Sequence, residues 1–525
     1  MSDADVIVVG AGHNGLACAA YLARAGLDVL ALEERDEVGG TAATVDALGA
    51  RVNICNCEHT LFRATPIPDE LELAEHGLRY IDVDPAMLNM GWDGSPAWMV
   101  FHDLERTVES VALARGDRQA RAYRRYAAAA VPLARLVLEV ANQPPSLASI
   151  ASSLRRRRAR GLLPALAWAR RSSAGVLRSL FDDEAMIAPC VAAGPATWGL
   201  SPHARGGGYG ALMYAIKHVV RAGRPEGGSG ALPRALEASL RARGGRVRCA
   251  AAVTRLLIDR ARVTGVELAG GERLRADTVV AACDPRLVVL SWLREPPPVA
   301  RRLVARWRSR PGIDGYQSKL DAVVRTMPRY RSVRRDHLDR LGVADECVPT
   351  AIVAPPVDQI AAAHVLARQG AIADRLMHYV NLPTLLDPTM APSDLEGAHV
   401  LSLECIYTPY ALEGGWRETT EPERWLRSFA GLLEPGFLEG VVRQRVVTPP
   451  IYESEFGCPR GCPPAFQGTP LHALVGFQRE LTRYETPVDG LFLTGAGTFP
   501  GPGVWGATGR NAAAVVVARR ERSAP

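Results

Sequence analysis

Residues 5–34 read DVIVVGAGHNGLACAAYLARAGLDVLALEE, and the class of fold follows from this stretch. Val6 to Val9 are an unbroken apolar run, the pattern of a parallel strand covered on both faces. Gly10, Gly12 and Gly15 follow as GxGxxG. In such a unit the first glycine permits a tight turn and the second lets backbone approach a pyrophosphate. The third lets helix and strand close on each other. A helix is predicted from about Leu16 to Ala25, with its free N–H groups aimed at the phosphates and Gly26 as its cap. Val29 to Leu32 supply a second buried strand, and Glu33 at its end can accept hydrogen bonds from a ribose. His13 and Asn14 inside the glycine motif, and Glu34 and Arg35 after the acid, share this surface. Strand, glycines, helix and acid in this order predict a dinucleotide site.

The next residues, ERDEVGGTA, place Gly39, Gly40 and Thr41 just beyond the acid. A glycine pair here is typical of chains that bind FAD, where backbone approaches the ribityl phosphate; by itself it also reads as an ordinary turn. Residues 490–520, GLFLTGAGTFPGPGVWGATGRNAAAVVVARR, separate the two readings. A buried strand at Leu491 to Leu493 runs into Gly495, Ala496 and Gly497, then a Gly/Pro turn and an alanine-rich helix from about Trp505. This third strand–glycine–helix unit is expected to complete the first site. Its helix, beginning near Val504 to Ala507, would point a positive N-terminus at flavin N1 and C2=O and stabilise the reduced ring. Gly503 permits that approach, and Trp505 shapes the ring edge.

On the motifs GAGHNGL (Gly10–Leu16), EGGSGALPRAL (Glu226–Leu236) and YETPVDGLFLTGAGTFPGPGVWGATGRNAA (Tyr484–Ala513), the chain resembles the phytoene desaturase-like flavoproteins. That group also holds the amine oxidases and the Rab escort/GDI proteins. LFDDEAMIAPCVAAGPATWGLSP (Leu180–Pro202) resembles its "pyridine nucleotide-disulphide oxidoreductase domain 2" branch. The resemblance implies FAD and an α/β fold: a Rossmann-like FAD-binding domain with an inserted mixed α+β substrate domain, as in amine oxidases and GDI. The FAD domain is expected to be discontinuous, spanning 1–85, 225–290 and 481–525, with 86–224 and 291–480 forming the substrate domain. The block after Gly230 reads as helix, turn, hairpin and a buried strand ending at Cys283. In related flavoproteins it packs beside the adenine, which assigns the Val253 backbone to that contact.

The resemblance also proposes chemistry. Lys319, on the apolar strand GYQSKLDAVV, matches a lysine that in amine-oxidase relatives holds a water beside flavin N5; a surface lysine is the ordinary alternative. The segment ARVNICNCEHTLF (Ala50–Phe62) is implied to pass the flavin ring, making Glu58 and His59 candidate proton acceptors; a core histidine is the alternative. Two departures from the branch, Phe499 and Pro502 in the C-terminal turn and Gln467 in PPAFQG, lie where flavin would meet substrate. The relatives' substrate is therefore not carried over. The reading is an FAD-dependent desaturase or dehydrogenase that takes hydride and proton from a largely apolar molecule, in a biosynthetic pathway. A polyene isomerase is a close variant. An amine oxidase would need an aromatic cage, for which Trp416 and Tyr452 are the candidates. A GDI-like binding protein is the non-enzymatic alternative, opposed by the intact glycines and Glu33.

Composition narrows the partners. The 525 residues are 47% hydrophobic, enough for large cores. The net charge is +6, and Lys217 and Lys319 are the only lysines among 62 basic residues, so the charge is arginine. So modest a balance says little about partners; no nucleic-acid partner is expected. The middle of the chain has no second GxGxxG, so electrons are expected to leave to oxygen or a quinone rather than a nicotinamide. Ten scattered cysteines without a framework suggest reduced thiols. Neither Cys55, Cys57 and His59 nor Cys458 and Cys462 has a complete ligand spacing, so no metal is expected. No leader precedes the first strand and no apolar run spans a bilayer, which predicts a cytoplasmic protein. The basic amphipathic stretch Ser153–Phe181 reads either as a solvated helical face or as peripheral contact with the inner face of a membrane.

Overall fold

The computed structural model describes residues 2–55, 58–344, 348–462, 465, 466, 468 and 470–523. Cys57 and Gln467 lie outside the described residues. A five-stranded parallel sheet has the order 491–493, 278–281, 6–9, 29–32, 246–248, with Val6 opposite both Thr278 and Val29. The apolar run 6–9 is buried on both faces because its side chains alternate. Val6 and Val8 enter the core shared with the helices, whereas Ile7 and Val9 enter the core beneath a three-stranded antiparallel sheet. The helix after the glycine motif runs His13–Arg24, starting three residues before its sequence-based position. It lies between the helices Ala231–Ala242 and Ala507–Ser523. All five strands of this sheet come from within 1–85, 225–290 and 481–525.

A second sheet has seven strands, in the order 441–447, 317–324, 399–406, 377–381, 350–353, 87–90, 98–100. Its pairings are antiparallel except that between 350–353 and 87–90. One face is apolar, with Leu320, Ala322, Val324, Val380, Leu401 and Leu403 in a single core. The alternate positions Gln317, Lys319, Asp321, Asn381, Ser402 and Glu404 put buried polar groups on the other face. Buried polar groups must be hydrogen-bonded or paired, and the departures from that rule mark where chemistry is done.

The 38-residue helix Leu104–Ala141, interrupted at Gly116, organises the helical side of this unit. The basic stretch after it forms three short helices, Leu147–Arg156, Leu162–Trp168 and Ser173–Arg178. The first is closed by a capping box between Ser146 and Ser149. Among the described residues no helix is long and apolar enough to cross a membrane.

Candidate active site

The N-terminal glycines build a tight, close-packed cradle where strand turns into helix. Gly12 caps the helix in extended conformation, and the Gly39 N–H donates to Ala11 O at 2.9 Å, laying the glycine pair beside the first turn. At Gly15 an added Cβ would stand 1.9 Å from Gly10 O, so no other residue lets helix and strand approach this closely. Gly39 has φ 128°, a conformation side chains avoid, and its Cβ would also press on Ala43 at 3.1 Å. Thr41 follows in the short turn Gly40–Ala42.

Glu33 is buried at the end of its strand, accepting from Ala11 N at 2.8 Å and Arg35 N at 3.2 Å. Burial pushes its carboxyl up while the two N–H groups oppose the shift. Arg35 reaches Gly40 O at 3.4 Å and lies over the Phe456 ring, and Glu34 abuts Gly457. Ala251 N donates to Glu33 O at 2.8 Å and Ala250 N to Arg35 O at 2.9 Å, which brings the strand beginning at Val253 beside Glu33.

The C-terminal unit closes on this cradle. Thr494 N donates to Ala281 O at 2.9 Å, directing the Gly495-Ala496-Gly497 loop along the sheet's C-terminal edge. Gly506 N donates to Asn14 Oδ1 at 3.1 Å, tying the final turn to the first helix. The last helix begins at Ala507, so Gly503, Val504 and Trp505 lie in the turn before it. His13 is desolvated down to a pKa of about 4, opposed by a backbone hydrogen bond with Gly503, and is neutral. His13 Nε2, Thr494 Oγ1, Trp505 Nε1 and Thr508 Oγ1 are buried without a partner among the described residues. Such orphans converging on a glycine cradle fit a polar cofactor that would satisfy them.

The three catalytic candidates are all buried, and each is already engaged. Glu58 forms an ion pair with Lys217 and accepts from Thr60. Burial acts to raise its carboxyl, but the Lys217 ammonium, the Thr60 hydroxyl and the Arg224 guanidinium together more than offset this and hold it below the usual range. His59 binds Tyr80 Oη through Nδ1 at 3.1 Å and Ser229 Oγ through Nε2 at 3.0 Å, and desolvation lowers its pKa to about 3. Lys319 is 1% exposed, not a surface lysine. Its Nζ donates to Asn53 O at 2.8 Å and pairs with Asp321. Asp321 in turn accepts from Ser402 Oγ at 2.5 Å and Arg445 Nε at 3.0 Å. Trp416 and Tyr452 belong to separate cores and do not face each other as a cage.

Sequence reasoning missed Glu404. In VLSLECI it is an acid on a strand whose neighbours are apolar, and alternation puts it on the face of Ser402 rather than in the core. It stands opposite Lys319 on one neighbouring strand and Tyr379 on the other. Among the described residues no hydrogen bond or ion pair reaches its carboxylate. Burial raises its pKa to about 7, with Lys319 opposing and Asp321 adding to the shift.

The glycine turn, the buried Glu33 and the closing C-terminal turn belong to an FAD-binding flavoprotein with the amine oxidase/GDI type of fold. Residues 8–69 match the family described as NAD(P)-binding Rossmann-like domain, and residues 71–314 match flavin containing amine oxidoreductase. A rat protein, pyridine nucleotide-disulfide oxidoreductase domain-containing protein 2, is 30% identical over 98% of this chain and 93% of its own length. The chain belongs to that protein's family. A limonene dehydrogenase component of Castellaniella defragrans is 26% identical over 98% of this chain and 94% of its own. In fold the chain is similar to putrescine oxidase bound to putrescine, with a TM-score of 0.60–0.63 across its structures; the putrescine-bound structure is 20% identical and is covered over 99%, against 98% of this chain.

Proposed function

We propose that this flavin-containing oxidoreductase is a dehydrogenase that introduces a double bond into a largely apolar organic substrate within a biosynthetic pathway. Bound FAD would supply the two-electron oxidation. Gly12, Gly39, Gly40 and the N-terminus of helix His13–Arg24 would hold its pyrophosphate, and Glu33 its ribose. The observation that carries the reading is the surrounding of the final turn. Trp505 packs with Leu138, Ala141, Leu61, Ala64, Val219 and Val220, so the turn implied to meet the flavin is walled by apolar side chains. The relative named as a limonene dehydrogenase supports the same substrate class. Because Trp416 and Tyr452 lie in separate cores, oxidation of an amine has less support.

Oxygen or a quinone is the electron acceptor in this reading, and the protein works in the cytoplasm at the inner face of a membrane. Arg135, Arg158 and Arg160 line one groove, and Leu163 and Leu166 nearby in sequence are 79% and 67% exposed. Cations beside exposed leucines suit an anionic bilayer that holds the apolar substrate.

The test is the visible spectrum of the purified protein before and after anaerobic addition of limonene and of saturated polyene precursors. Bleaching of the flavin band supports the dehydrogenase. Bleaching by dithionite alone would favour an isomerase, and a protein that stays colourless with added FAD would favour the GDI-like alternative.

A further inference from the structure

We infer that Glu404 is the group that takes the proton from the substrate, an inference that rests on the dehydrogenase reading. Forming a double bond removes a hydride and a proton from adjacent atoms. Bound FAD would supply the hydride acceptor; the protein has to supply the base. Glu58, His59 and Asp321 are poorly suited, because each already has its side chain committed to another residue. A group held in that way must break an internal bond before it can accept a proton.

Glu404 differs in each respect. It is buried on the polar face of the seven-stranded sheet, yet its carboxylate has no partner among the described residues. The titratable groups that face it are Lys319, Asp321 and Tyr316 from one strand and its approach, Tyr379 from the other neighbour, Cys55 and Tyr452. Cys55 lies two residues after Asn53, whose carbonyl Lys319 holds, and this is the segment implied to pass the flavin ring. The cross-strand position of Lys319 favours the ionised carboxylate, whereas burial and Asp321 favour the protonated one. The balance falls near neutrality, where a general base is most effective. Lys319 thus acts as a positioning residue: with its ammonium spent on Asp321 and Asn53, it steadies the charge of Glu404 without neutralising it.

The reaction balances with this assignment. The substrate C–H bond next to the hydride-donating carbon breaks, its electron pair becomes the second bond of C=C, and its proton goes to a Glu404 carboxylate oxygen. Release of that proton to water resets the site, while oxygen or a quinone removes the two electrons.

The test uses the FAD-loaded full chain and its E404Q form, which keeps the side-chain shape. Dicyclohexylcarbodiimide, an apolar reagent that modifies protonated carboxyls, is applied at about pH 5 and about pH 8, and modified residues are located by mass spectrometry. Labelling of Glu404 that falls several-fold between the two is the expected result. A Glu404 that stays unmodified at both, or is labelled equally at both, would overturn the inference. In parallel, the hydrocarbon that bleaches the wild-type flavin is mixed anaerobically with E404Q. At least a hundredfold slower bleaching is expected, with the loss of any pH limb near neutrality; an unchanged rate would also overturn it. If no hydrocarbon bleaches the wild type, the dehydrogenase reading fails on its own evidence, and the labelling arm still decides whether Glu404 is an accessible, titrating carboxyl.

Discussion

Lys217 and Glu58 form an ion pair in which both side chains are almost completely withdrawn from solvent, at 5% and 8% exposure. With Lys319 bonded to Asp321, every lysine of this chain is buried and matched to a carboxylate. In a protein that uses arginine everywhere else, lysine is reserved for interior sites where a compact ammonium fits. Removing one partner leaves a buried charge uncompensated, a larger loss than the pair itself is worth. Lys217→Met is expected to destabilise by about 3–5 kcal/mol in urea unfolding. The double change Lys217→Met with Glu58→Gln should recover most of that. Equal losses in the single and double variants would show that the two residues are not coupled.

The glycine cradle gives a test of cofactor binding. The Cβ of Gly15→Ala would lie 1.9 Å from Gly10 O, a contact relieved only by moving the helix off the strand. Loss of the flavin spectrum and a fall in melting temperature are expected together. Glu33→Ala removes the acceptor held by Ala11 N and Arg35 N but leaves the packing intact. It should therefore weaken FAD binding, read by flavin fluorescence titration, with a smaller change in melting temperature.

Glu404 should also mark the pH dependence of stability. Its carboxyl is raised from 4.5 to about 7 in the folded chain. Between those values the folded state holds a proton that the unfolded state has released. Stability is therefore fully present below about 4.5 and declines as pH rises through about 7. The loss amounts to about 3 kcal/mol for such a shift. E404Q has no proton to lose, so its stability relative to wild type should rise by that order between about pH 5 and about pH 8. Parallel pH profiles for the two proteins in chemical denaturation would mean that the carboxyl does not titrate in this range.

The dinucleotide unit was legible in the sequence because each of its constraints is local. Gly10, Gly12, Gly15 and Glu33 fall within one strand–helix–strand stretch, and Gly495 to Trp505 repeat the logic near the other end. Lys319 was found by its rarity, but its burial was not legible: Asp321 is its i+2 neighbour on the same strand face, whereas Asn53 comes from a distant hairpin and Arg445 reaches Asp321 only through sheet pairing. Glu404 was hidden for the same reason. Its environment is made by residues 55, 316, 319, 379 and 452, which no local pattern connects. Residues 153–181 read as one amphipathic stretch, but Gly161 in left-handed conformation and the cap at Ser172 divide it into short helices.

That division bears on the membrane. A single long helix could lie flat on a bilayer, but the short helices found here offer a smaller footprint of exposed Leu163 and Leu166 beside the arginine groove. Part of the basic charge is already spent, because Arg156 and Arg157 pair with Glu139. Among the described residues of the groove, the cations left for a bilayer are then Arg135, Arg158 and Arg160, each worth about 1 kcal/mol near an anionic surface. On the proposed membrane contact, three such charges with two leucines would give weak, reversible and strongly salt-dependent binding. Flotation with phosphatidylserine vesicles at low salt should carry the protein upward, and Arg158→Glu with Arg160→Glu should leave it at the bottom. Neutral phosphatidylcholine vesicles should carry neither. Flotation of the charge-reversed variant equal to wild type would remove the membrane from the account and return this surface to solvent.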